Sequence, residues 1–106
     1  IEGISEVTID ANHPDYGTIQ LNTIELQSQN LPFTGKYFND IPLQLTANPK
    51  PGYIFSQWEI NQKVEYNKTA RIIPSNSNPI TIKAYYQPIS ITNFYKPIIQ
   101  YFYERN

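Results

Sequence analysis

The chain has 106 residues, a formal net charge of −1, and 16% charged against 40% hydrophobic residues. That length suits one domain able to bury its own core. The near-neutral charge argues against nucleic acid, whose phosphates need clustered Lys and Arg, and against an anionic membrane surface; the lack of cysteine excludes disulfides, thiolate metal sites and Cys nucleophiles.

No run approaches the roughly 18 apolar residues of a membrane-spanning helix, so no membrane insertion is expected. The chain begins at Ile1 and contains no Met. This predicts a processed chain or an excised piece, from which any signal peptide is missing.

In chain order, Glu6 to Ala11 alternates Val7, Ile9 and Ala11 inward against Glu6, Thr8 and Asp10 outward, the period of a half-buried strand. Asn12 to Gly17 is turn chemistry, with Pro14 fixing φ and Gly17 expected at positive φ. Gly17 to Leu26 puts Ile19 and Leu21 on one parity and Ile24 and Leu26 on the other, so a tight turn or a bulge is expected at Asn22-Thr23, with the turn preferred. Ser28 to Asp40 reads as a loop with buried anchors Phe33, Tyr37 and Phe38 around Gly35.

Ile41, Leu43, Leu45 and Ala47 then alternate with polar residues, and Pro42 belongs at the start of that strand or on an edge. Pro51-Gly52 fits a type II turn and is expected to close a hairpin onto Tyr53 to Glu59. Tyr53 and Phe55 share a parity that Trp58 lacks, so a β-bulge near Ser56-Gln57 is expected to return Trp58 to their face, opposite Leu43 and Leu45. Asn61 to Lys68 reads as a polar connection and Thr69 to Ile73 as a short strand. After the Ser75 to Pro79 turn, Ile80, Ile82, Ala84 and Tyr86 alternate in a final strand stopped by Pro88.

The expected fold is all-β or mainly β: a small antiparallel or mixed sheet of about five to seven short strands over residues 1–88, followed by an apolar tail, 89–106. In that tail Ile91, Phe94, Tyr95, Ile98, Ile99, Phe102 and Tyr103 have helix-like spacing interrupted by Pro97. A short helix and an extra strand both fit. The tail is expected to pack on the domain, pair with a second copy, or open a following domain. With open sheet edges, it predicts a homodimer.

Several segments together carry a family likeness: Gly17 to Asn22, Pro32-Phe33-Thr34-Gly35-Lys36-Tyr37-Phe38, Ile41 to Ala47, Pro51-Gly52-Tyr53-Ile54-Phe55-Ser56-Gln57-Trp58-Glu59, and Ile80 to Tyr86. In this order they resemble the divergent InlB B-repeat type of small β-domain, and more narrowly the copy that follows the kinase-like domain of bacterial CotH-like proteins. The resemblance covers residues 6 to 88, with Phe33 standing where the family most often has Trp. It implies a β-grasp-like or small-sheet module of a bacterial secreted or surface protein, at the cell surface or outside the cell, working beside other domains of its parent protein. The residues it carries over are structural: Phe33, Gly35, Tyr37, Phe38, Gly52, Tyr53, Phe55 and Trp58. The kinase chemistry is not carried over, because it would need a nucleotide-binding Lys and metal-binding Asp residues of another domain.

Little in the chain points to catalysis. A Ser triad needs a His base, and the single His13 sits in a turn with no Gly-x-Ser-x-Gly elbow anywhere. Asp10, His13 and Asp15 are the one candidate metal set, but three ligands in a loop without a partner cluster read better as a solvated turn. The carboxylates are scattered, and four glycines build no phosphate cradle. No cofactor is expected.

The aromatic content of 14% exceeds what one small core requires. Tyr85 is predicted outward, Tyr16 and Tyr66 lie in connections, and Tyr101 and Tyr103 lie in the tail; together they form a candidate glycan platform. The leading expectation is a non-enzymatic accessory module acting as a spacer or protein-interaction unit. The alternatives are a carbohydrate-binding module using those tyrosines, and a regulatory segment of a CotH-like kinase.

Overall fold

A computed structural model of the chain describes residues 3–89. Both readings of the tail, and Tyr101 and Tyr103 with it, lie outside the described residues. The described residues form a mainly β fold with nine strands and two single-turn 3-10 segments. The strands are β1 (Ile4–Ala11), β2 (Gly17–Leu21), β3 (Ile24–Leu26), β4 (Phe33–Phe38), β5 (Leu43–Pro49), β6 (Tyr53–Ile60), β7 (Lys63–Glu65), β8 (Thr69–Ile72) and β9 (Ile80–Pro88). They divide into a five-stranded sheet ordered β4-β1-β9-β6-β7 and a four-stranded sheet ordered β3-β2-β5-β8, rather than forming one small sheet. Among the described residues no α-helix crosses either sheet, as a β-grasp arrangement would require.

The period-2 patterns explain how the sheets pack. Val7, Ile9, Ala11, Trp58, Ile80, Ile82, Ala84 and Tyr86 of the larger sheet and Ile19, Leu21, Leu26, Leu43, Leu45, Ala47, Ala70 and Ile72 of the smaller one form a single buried cluster. Each strand turns alternate residues inward, so two sheets with one apolar face apiece bury both faces against each other. β1 and β9 pair in parallel at the centre of the larger sheet, and the other pairings are antiparallel.

The segment from Tyr53 holds the largest buried side chain. The register of β6 against β9 shifts between Phe55 and Gln57, and this bulge places Trp58 on the inner face at 0% exposure. Its indole N–H donates to the Lys68 carbonyl at 3.3 Å, and its ring meets Phe55 at 5.3 Å between centroids. Without the extra residue, period 2 would turn the indole to the outer face.

Three local expectations are corrected. Ser28 to Asp40 is not simply a loop: Phe33 to Phe38 form edge strand β4 on β1, with Phe33 and Tyr37 half-buried and Phe38 exposed at 42%. Gly35 lies within that strand; a Cβ there would meet the Tyr37 and Phe33 rings at 3.0 and 3.1 Å, so its missing side chain lets both rings close over the edge. β5 and β6 are not a hairpin, because β5 joins β2 and β8 while β6 joins β7 and β9, and Pro51-Gly52 carries the chain from one sheet to the other. Gly52 does take positive φ (91°), and the Tyr53 N–H donates to the Lys50 carbonyl at 3.0 Å across that turn. Asn61 to Lys68 contains β7, paired with β6 through an Asn61-Gln62 turn whose two residues both have positive φ, the type I′ geometry that suits strand twist.

Smaller differences follow from packing. The Asn22-Thr23 turn forms as expected, but only Leu26 of β3 is buried, while Ile24 is 52% exposed. Ile41 and Pro42 precede β5 rather than belong to it, and Ile41 is exposed. Gly17 is extended (φ −178°), and it is needed for space: a Cβ would lie 2.7 Å from the Asn48 carbonyl oxygen and 2.9 Å from the Tyr86 ring.

Asparagine side chains extend the ladders. The Asn22 N–H donates to the Gln44 carbonyl (2.8 Å) while its side-chain oxygen accepts the Gln44 N–H (2.9 Å). Asn61 does the same to Thr81, at 2.9 and 2.8 Å. At the end of β1, the Asn12 N–H donates to the Ala84 carbonyl, and its side-chain amide both accepts from the Tyr86 N–H (2.9 Å) and donates to the Tyr86 carbonyl (3.0 Å). A side-chain amide has the donor and acceptor of a peptide group, so each Asn stands in for one more rung where its strand stops.

Three substitutions test this account by chemical denaturation. Trp58→Ala is expected to lower stability by about 3–5 kcal/mol, the range for emptying a core aromatic site. Gly17→Ala is expected to cost about 1–3 kcal/mol by overpacking. Gly52→Ala, with nothing within 4 Å of the added Cβ, is expected to show only the backbone penalty of positive φ, about 1–2 kcal/mol.

Candidate functional site

The aromatic side chains occupy three environments. Inside, Phe55 lies between Trp58 and Tyr86, with centroids 5.3 and 6.0 Å away. The Tyr86 hydroxyl donates to the Thr18 carbonyl of the opposite sheet at 2.6 Å. Burial pushes the Tyr86 hydroxyl up to about 12, with the backbone of Asn48 acting in the opposite direction. Burial also raises that of Tyr37. Trp58 and Tyr86 are buried in the core and Phe55 packs against it; Tyr86 was legible as an inward residue, but nothing in its local pattern marked its hydrogen bond across the core.

A ring stack forms at the end of the sandwich where β1 and β9 finish. Tyr16 lies between His13 and Tyr53, with centroids 4.4 and 4.1 Å away and planes tilted by 25° and 24°. Both faces of the Tyr16 ring are therefore covered, and it offers no face to a sugar. The stack and the bond from the Lys50 N–H to the Tyr16 carbonyl (2.9 Å) fix the short Pro14–Tyr16 turn. Asp10, His13 and Asp15 do not converge. The Asp10 carboxylate accepts the Ala11 N–H at 2.8 Å, His13 is engaged in the stack, and no group of three or more metal-binding side chains occurs among the described residues.

The outer face of the larger sheet carries charged residues at its centre and exposed Ile4, Phe38, Ile54 and Val64 toward its ends and edges. Glu6 lies opposite Lys36, and Lys83 lies between Asp10 on β1 and Glu59 on β6, so opposite charges alternate across the strands. Glu59, Asn61, Gln62, Thr81 and Lys83 line an open groove of about 350 Å³. Tyr85 faces outward opposite Gln57, half-buried, with the Lys83 ammonium 5.5 Å from its ring centroid. Tyr66, just past β7 and on the far side of β6, is 72% exposed. Of the sugar-platform candidates described, Tyr85 lies on this sheet, Tyr66 follows its edge strand β7, and Tyr16 is part of the terminal stack.

Among the described residues every buried side-chain nitrogen or oxygen has a hydrogen-bond partner, and no helix is long and apolar enough to cross a membrane. No protein-family model, curated protein or solved structure matches the chain.

Tyr86 makes stability depend on pH at the alkaline end. An unfolded tyrosine ionises near pH 10, whereas the folded Tyr86 holds its proton to about pH 12. Between these values the unfolded state has lost a proton that the folded state keeps, so stability falls as pH rises. Its contribution is fully present below pH 10 and is lost as pH rises toward 12. Urea melts at pH 9 and 11.5 are expected to show this loss, and Tyr86→Phe is expected to flatten the dependence.

Proposed function

We propose that the chain is a non-catalytic accessory module of a bacterial secreted or surface protein, serving as a spacer or protein-interaction unit between other domains. The observation that carries this reading is the course of the chain. β1 enters at one end of the sandwich, and β9, parallel to it, leaves at the other. The Gly3 carbonyl is bound by the Asn39 N–H at the entry end, and the Ile89 N–H bonds the Gly52 carbonyl at the exit end. Such a domain holds whatever precedes and follows it at a fixed separation. The polar and aromatic groups support the same reading, since the asparagines complete ladders and the His13-Tyr16-Tyr53 stack secures a turn. The likeness to InlB B-repeat modules supports the extracellular setting.

A pair of dyes on Ile4→Cys and Gln87→Cys tests the spacer directly. The strand rise of about 3.3 Å per residue sets their separation at roughly 30 Å. Energy transfer is expected to report that distance unchanged on addition of glycans or nucleotides, with no turnover of either. Saturable ligand binding or turnover would reject the inert spacer.

A second reading, glycan binding, has the support of Tyr85 facing outward opposite Gln57 and of the exposed Tyr66 just past edge strand β7. If it holds, glycan-array signal is expected and disappears in both Tyr66→Ala and Tyr85→Ala.

A further inference from the structure

We infer that the fold contains a mechanical clamp, formed by the parallel β1-β9 ladder, that resists tension applied along the chain. Its biological use rests on the spacer reading above; its mechanics do not. Val7, Thr8, Ile9, Asp10 and Ala11 pair in order with Ile80, Thr81, Ile82, Lys83 and Ala84. Both strands begin at the same end of the sandwich and finish at the other. Tension pulls β1 back by its beginning and β9 forward by its end, so the two slide against each other. Every hydrogen bond of the ladder runs from one strand to the other, across the direction of slip, so all are loaded at once. In a pair pulled apart from one end, the bonds fail singly. Each bond is weak on its own, so simultaneous loading is what makes the ladder strong.

Three features reinforce this geometry. The two strands are internal to the sheet, with β4 shielding β1 and β6 shielding β9, so water does not reach the ladder from an edge. The ladder is prolonged at its loaded end by Asn12, whose backbone and side-chain amide make three bonds to Ala84 and Tyr86. Tyr86 is in turn fixed to the opposite sheet through Thr18. A slip of β9 must therefore break the ladder, the Asn12 amide and the cross-core bond together.

Single-molecule pulling on the full chain tests the clamp, and the absence of native cysteine makes an introduced pair the only attachment. Handles at Ile4→Cys and Gln87→Cys load the ladder in shear; handles at Ile4→Cys and Asn78→Cys, both at the end where the strands begin, peel it. The shear pair is expected to yield at several-fold the force of the peeling pair. Adding Asn12→Ala is expected to lower the shear force. Asn22→Ala, which removes the corresponding rung in the other sheet, is expected to reduce equilibrium stability while leaving the shear force near its original value. Equal forces in the two directions, or equal loss of shear force in the two asparagine variants, would overturn the clamp and leave the spacer reading intact. A strong shear response in a chain found to bind a soluble glycan would instead reject the inert spacer and leave the clamp standing.

Discussion

One extra residue in β6 decides where the largest side chain of this protein goes. The bulge between Phe55 and Gln57 turns Trp58 into the space between the sheets, where it is fully buried. Its N–H reaches Lys68, in the connection that leads into the smaller sheet, and the Tyr86 hydroxyl reaches Thr18 of β2. The two large rings of the five-stranded sheet thus carry their polar tips across to the other layer. Aliphatic contact alone is non-directional; these two donors add direction, and they set how one sheet sits on the other. Gly17 belongs to the same arrangement, since only a residue without Cβ leaves room for the Tyr86 ring beside Asn48.

The low charge and the abundance of asparagine follow from the ends of this sandwich. A strand that stops leaves unpaired backbone groups, which must find partners or water. Asn12, Asn22 and Asn61 each meet that need by presenting a side-chain amide to the neighbouring strand. The ring stack of His13, Tyr16 and Tyr53 closes the end from which β9 departs. Side chains that composition alone would assign to ligand recognition are thereby occupied in finishing the fold, and a parallel pair of central strands runs from one finished end to the other.

Much of this was legible in the chain, for a physical reason. Wherever one face is buried and the other wet, period 2 is enforced, and β1, β5 and β9 read directly from Val7-Ile9-Ala11, Leu43-Leu45-Ala47 and Ile80-Ile82-Ala84-Tyr86. The parity slip before Trp58 marked the bulge for the same reason. What could not be read was which strands share a sheet. Pro51-Gly52 specifies a local bend, and that bend serves equally to fold a strand onto its neighbour or to pass it to the opposite layer. β7 was hidden because its inward positions, Lys63 and Glu65, sit at a sheet edge where no apolar side chain is required. β4 was hidden because Gly35 looks like a turn until the Phe33 and Tyr37 rings are seen to close over it. The glycan candidates divided on packing: Tyr16 is covered on both faces, and Tyr66 is open.

Trp58 is the only tryptophan, so its fluorescence reports the core without labelling. Acrylamide quenching of the native chain, compared with the chain in concentrated denaturant, measures its exposure most directly. An indole enclosed between the sheets gives blue-shifted native emission that resists quenching, with emission moving red and quenching rising sharply on unfolding. Native emission already red and quenched as readily as in denaturant would place the indole in water, and the bulge would then turn it outward.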